Sequence, residues 1–129
     1  MSSSKLVLSG AAGALGGAEA LNVEDVFSTY LYKGTASTLS INNGIDLSGE
    51  GGLVWVKNRD RSLRDHALFD TERGVGYVLH SNTTDANDTY TASSNDLSSF
   101  NSDGFTLKGN DAADTNGTDN YASWTFRKA

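Results

Sequence analysis

GGLVWVKNRD, Gly51 to Asp60, is a short run of apolar and β-branched residues closed by glycines on one side and by Asn-Arg-Asp on the other. A run of this length between turn residues predicts a strand. Successive side chains of an extended chain point to opposite faces, so Leu53, Trp55 and Lys57 share one face and Val54 and Val56 the other. A strand apolar on both faces for most of its length is expected at the centre of a sheet, covered on both sides.

Three further stretches carry the same alternation: HALFDTERG (His66–Gly74), LSSFNSDGFTL (Leu97–Leu107) and NYASWTF (Asn120–Phe126). Thr38–Ile41 reads as a short strand ending in the Asn43-Gly44 turn. Ala67–Phe69 and Val75–Leu79 read as a hairpin around Thr71–Gly74. Phe100 and Phe105 flank a tight turn, Asn101-Ser102-Asp103-Gly104, in which Gly104 supplies a positive φ. From the last strand Ala122, Trp124 and Phe126 are expected to point inward. Trp55, Phe69, Phe105, Trp124 and Phe126 are then the expected core, leaving little room for a chemical site. About seven strands predict an all-β sandwich, jelly-roll-like or concanavalin-like.

The stretch Asn22–Tyr32 allows two readings. Asn22 can cap a helix with Glu24 and Asp25 in its first turn, and Val23, Val26, Phe27, Tyr30 and Leu31 have helical spacing. FSTYLY (Phe27–Tyr32) is aromatic and β-prone. A short turn over 22–25 followed by a strand is the preferred reading.

The chain has 129 residues, enough for one domain with a real core. It has 14 glycines and no proline, so it turns corners with Gly and Asn-Gly. Its net charge of −6 opposes binding to nucleic acid and to anionic membranes. The lack of cysteine excludes disulfides, thiolate zinc sites and cysteine nucleophiles. No stretch approaches the roughly 18–20 apolar residues of a membrane-spanning helix. Residues 1–21 are rich in Gly, Ala and Ser, and Gly10, Gly13, Gly16 and Gly17 interrupt the run Leu6–Ala18, so it does not read as an export signal. The segment reads as a tail or as an arm that docks through Leu6, Leu8 and Leu15 on a neighbouring subunit. The sandwich occupies residues 22–129.

Chemistry is sparsely represented. His66 lies between Asp65 and Asp70, but there is no G-x-S-x-G motif, and His66 is expected to start a strand and bond locally. No enzyme activity, catalytic residue or cofactor is expected. Arg59, Asp60, Arg61, Arg64 and Asp65, with Asp70, Glu72 and Arg73, alternate in sign. They form either a solvated network bracing a loop or a subunit interface, for which Arg59, Arg61 and Arg64 are the candidates. Asp111, Asp114, Asn116 and Asp119 form an oxygen-rich loop that departs from the EF-hand pattern and is a weak calcium candidate. Tyr90, amid Asn and Asp, is a candidate contact for sugar hydroxyls.

VEDVFSTYLYKG (23–34), NGIDLSGEGGLVWVKNRD (43–60), HALFDTERGVG (66–76), SSNDLSSFNSDGFTL (93–107) and NYASWTFRKA (120–129), in that order, resemble a module of tailed-bacteriophage virion proteins, especially those of marine phages. The module is often part of tail-fibre and other appendage proteins. The resemblance covers about residues 22–129 and implies a virion structural role, with location in the phage tail or an appendage. It carries no established catalytic or binding residue. Family members often bear a second copy of the module, which leaves open that the natural chain continues past Ala129. The expected function is a subunit, serving as the attachment module, of a tail fibre or appendage. Its expected partners are other virion proteins and further copies of itself, with a trimer favoured by analogy with phage fibres. The alternatives are a receptor- or glycan-binding module that uses loops 81–95 and 110–120 on a host surface, and a capsid decoration protein.

Overall fold

The computed structural model describes residues 20–84, 88–89, 96–109 and 114–129. Nine strands are defined among them. They are β1 (Phe27–Lys33), β2 (Leu39–Asn42), β3 (Gly52–Asn58), β4 (Ala67–Asp70), β5 (Tyr77–Val78), β6 (Asp88–Thr89), β7 (Leu97–Asn101), β8 (Gly104–Leu107) and β9 (Asn120–Arg127). Two single-turn helices, α1 (Val23–Val26) and α2 (Leu47–Glu50), precede β1 and β3. One antiparallel sheet has the order β1-β9-β3-β4 and a second the order β2-β8-β7. The small β5-β6 ribbon joins the first through Leu68 and Leu79, whose backbones exchange bonds of 2.8 and 3.0 Å. The expected all-β sandwich is the fold.

Asn22–Tyr32 combines both readings. Its first residues make one helical turn, where the Asp25 carboxylate accepts from the Asn22 N–H at 3.2 Å, and Phe27 then begins an extended strand. β3 is interior to its sheet, paired with β4 on one side and β9 on the other. The expected Phe100–Phe105 hairpin forms, with Phe100 paired to Phe105 and a register shift between Leu97 and Ser99.

The core lies between the sheets. Val54, Val56, Ala67, Phe69, Tyr32 and Tyr121 come from the first sheet, and Ile41, Leu97, Phe105 and Leu107 from the second. Ile45 and Leu47 close one end from the β2–β3 connection. Burying each of the larger side chains contributes about 1.5–3 kcal/mol. Tyr32 and Tyr121 stack with ring centroids 5.3 Å apart. The Tyr32 hydroxyl donates to the Thr115 carbonyl at 2.6 Å, and burial holds its pKa well above the usual tyrosine value, with Tyr121 adding to the effect.

Three of the five expected core aromatics lie elsewhere. Phe69 and Phe105 are buried as expected, but Trp55, Trp124 and Phe126 lie on the opposite, outer face of the first sheet. On β9 it is Tyr121, Ser123 and Thr125 that point inward, and all are buried. Short hydroxyl side chains can be buried at low cost when bonded. The Thr125 Oγ1 accepts from Asn43 Nδ2 at 2.9 Å, which ties the last strand to the turn after β2. The expectation that β3 is covered on both faces changes accordingly. Val54 and Val56 are fully buried, whereas Trp55 is only half-buried, by its neighbours on the sheet.

Candidate assembly surface

Residues 59–65 follow β3 and form a loop held from below by its own strand. The Lys57 ammonium donates to the carbonyls of Asn58, Arg61 and Arg64 at 3.0, 3.3 and 2.8 Å. Asn58 is buried, and its Oδ1 accepts from the Asp60 and Arg61 N–H groups at 2.8 and 3.1 Å. Its Nδ2 donates to Asp119 at 2.9 Å, and Arg61 pairs with the same carboxylate at 2.8 Å. The bond from Asn58, then Arg61, holds the Asp119 pKa below the usual carboxylate value. Asp60 accepts from the Asn120 backbone N–H at 2.8 Å. The loop tip carries Leu63, which is 94% exposed. A rigid loop presenting an exposed leucine loses little conformational freedom when a partner buries it.

The candidate arginines take different positions. Arg61 is tied to Asp119, Arg64 is half-buried and acts electrostatically on Asp114, and Arg59 is exposed beside them. The rest of the charge pattern belongs to the other end of the sheet. There Arg73 pairs with Asp70 at 2.6 Å and Lys128 with Glu72 at 2.7 Å.

A second surface is the outer face of the β1-β9-β3-β4 sheet. Trp55 sits opposite Trp124 with ring centroids 5.3 Å apart, and Phe27 opposite Phe126 at 4.9 Å. Leu53, Leu31 and Leu68 complete the rows by register. Leu31 is 60% exposed and Phe126 38%. Both tryptophans of the chain therefore lie on this face. Alternation made the two-faced character of these strands readable, but an inward assignment of the aromatic side hid the surface.

His66 borders this face. The Trp55 Nε1–H donates to His66 Nδ1 at 2.9 Å, which requires a neutral ring protonated on Nε2. Burial lowers the His66 pKa, Lys57 pushes the same way and Asp65 opposes. Its contribution to stability is thus fully present above the usual imidazole pKa and is lost as the pH falls through the lowered folded value. Acid titration of the tryptophan emission should show a step with a midpoint below about 6.5. His66→Gln should remove it, and a midpoint above the ordinary imidazole value would contradict the assignment.

The calcium candidates separate. Asn116 is fully buried, and its amide is consumed by protein. Nδ2 donates to the Ser37 and Lys108 carbonyls at 2.6 and 2.9 Å, and Oδ1 accepts from the Thr35 N–H at 2.8 Å. Asp119 serves the 59–65 loop. Asp114 instead meets Asp65 and His80, with donor atoms all within 4.8 Å of one another. An imidazole and two carboxylates suit a first-row divalent cation better than calcium. Burial raises the Asp114 pKa, and Asp65 adds to the rise against Arg64, His80 and Lys57. Burial also raises that of Asp96, which the Thr115 hydroxyl partly offsets. No spacing in the sequence links residues 65, 80 and 114; only the packing of three connections does. Leu6, Leu8, Leu15, Tyr90 and Asp111 lie outside the described residues.

Residues 22–129 match the family described as "Domain of unknown function (DUF7483)". Neither a curated protein nor a solved structure matches the chain.

Proposed function

We propose that the chain, a member of the DUF7483 family, is a structural subunit of a bacteriophage particle. It serves as the attachment module of a tail fibre or tail appendage and acts by protein–protein assembly. The resemblance of its five sequence stretches to phage virion modules supports the location. The observation that carries the assembly reading is Leu63. A large apolar side chain stands almost wholly in solvent on a loop braced by Lys57, Asn58, Asp60 and Arg61. Monomeric surfaces tolerate such residues singly, but here the buried Asn58 and the half-buried Lys57 are both committed to holding the loop in place. Exposed Arg59 beside the loop adds directional pairing to an acidic partner, and a closed cyclic oligomer such as a trimer fits a fibre.

Leu63→Asp tests the loop. It should leave the melting temperature unchanged and weaken association by about 1.5–3 kcal/mol, an order of magnitude or more in Kd. Sedimentation of the purified chain, alone and with density-purified particles stripped of it, reads this directly. Equal association of variant and parent would refute the loop. Mass spectrometry of such particles tests the virion reading: a few copies of this chain per particle accord with a fibre, hundreds with a decoration protein, and none with neither.

A further inference from the structure

We infer that Asp65, His80 and Asp114 hold a divalent first-row transition-metal cation of the zinc class, which ties the 59–65 loop to the connections that follow β5 and precede β9.

The three side chains come from connections far apart in the chain, and each is half-buried. Their donor atoms all lie within 4.8 Å of one another. Metal–ligand bonds of about 2.0–2.2 Å set donors about 3.4 Å apart in a tetrahedral shell, so small side-chain rotations close the set on a cation. Calcium asks for about 6–8 oxygens and magnesium keeps to oxygen and water, whereas an imidazole with two carboxylates suits zinc, cobalt or manganese. Half-burial leaves water to fill the remaining positions.

Two of the ligands are aimed by groups outside the set. His80 Nδ1 lies 2.9 Å from the His66 carbonyl oxygen, which can only accept, so Nδ1 carries the proton. In the neutral ring the basic nitrogen is then Nε2. A backbone carbonyl on the other ring nitrogen is the usual support of a metal-binding histidine. Asp65 Oδ1 accepts from Asn82 Nδ2 at 2.8 Å, and Asn82 Oδ1 accepts from the His66 N–H at 3.0 Å. Asn82 and the His66 backbone thus hold Asp65 and His80 in one frame.

The surrounding charge favours a cation. A third carboxylate, Asp96, lies within electrostatic reach of Asp114 and His80. The opposing cations are Arg64 and Lys57, both near enough to act on Asp114. Lys57 is already held by the carbonyls of Asn58, Arg61 and Arg64. Three carboxylates against two such cations leave the spot negative, and like charges gathered in partly desolvated space repel until something neutralises them.

The inference stands apart from the virion reading, because it is tested on the isolated chain. The full chain is stripped with EDTA and titrated with zinc chloride. Calorimetry should give one zinc per chain. Zinc at about 100 times Kd should raise the melting temperature by about 5 °C or more, reversibly on adding EDTA. Calcium or magnesium at the same concentration should give no rise. Asp65→Asn, His80→Gln and Asp114→Asn should each weaken zinc binding by at least the about tenfold that loss of a supporting partner alone costs. His66→Gln, which keeps its backbone groups, should bind zinc as the parent does. Three separate variants keep the test decisive if one of them does not fold. No zinc-dependent rise overturns the site and leaves His80 as an ordinary charged partner of the carboxylates. An equal rise with calcium overturns the cation class. Zinc binding that survives all three substitutions is adventitious, and binding that His66→Gln abolishes belongs to His66; either result overturns the proposal.

Discussion

Gly104→Ala is expected to lower the unfolding free energy by about 3 kcal/mol or more, a large share of the roughly 5–15 kcal/mol that holds a typical domain folded. Gly104 has φ +150°, a conformation L side chains rarely adopt. It is also buried and paired with Asn42 at the start of β8. A Cβ there would occupy the place of the Ile41 carbonyl oxygen, a backbone atom that no rotamer change can move. Relief requires β2 to part from β8. That movement would pull on Asn43 and Gly44, whose N–H groups donate to the Asp103 carbonyl at 2.9 and 3.0 Å. It would also strain the Asn43–Thr125 bond between the turn and β9. Denaturant melts would show the loss as a lower midpoint with an unchanged slope. The neighbouring exposed Ser102→Ala should stay within about 0.5 kcal/mol. A Gly104→Ala melt indistinguishable from the parent would mean that the turn is not held as described.

Asn116→Ala is expected to cost about 2–4 kcal/mol. The amide holds together three segments distant in sequence: Thr35, Ser37 and Lys108. Removing it leaves their backbone groups to find water. Thr35 and Ser37 are exposed enough to do so in part, which keeps the figure from being larger. Asn116→Asp should be at least as harmful. A carboxylate can still accept from Thr35 but cannot donate to two carbonyls, and it buries a charge. The loss should be the same with calcium added or chelated. A calcium-dependent midpoint that disappears in the variants would instead make this residue a ligand.

The positions of the strands were legible because alternation and turn residues are local signals. β3, β7 and β8 sit within a residue or so of their expected bounds, and the Gly104 turn has the predicted positive φ. The ribbon at Asp88–Thr89 was not legible, since it lies within a stretch without apolar alternation and pairs with β5. The loop at 59–65 was visible as a charged loop, and Arg59, Arg61 and Arg64 as candidates. Leu63, at its tip, was not, because a single leucine among charges has no periodicity to mark it. The amides of Asn58 and Asn116 read as turn chemistry, yet both are buried braces. Nothing in composition distinguishes an asparagine that solvates from one that bonds inward.

Local order along this chain, then, decided that it is built of β-strands, where most of them start and stop, and that it carries no cysteine chemistry. Packing decided which side of each strand faces in. For β9 the apolar rings of Trp124 and Phe126 would have chosen the interior by hydropathy, but Tyr121, Ser123 and Thr125 went there instead. A strand offers two faces of opposite parity, and its pairing partners set the choice for all its residues at once. β9 is locked between β1 and β3, whose Val54 and Val56 already meet the second sheet. The aromatic surface outside the sandwich follows from that constraint, and it is a property of the assembled sheets rather than of any one segment.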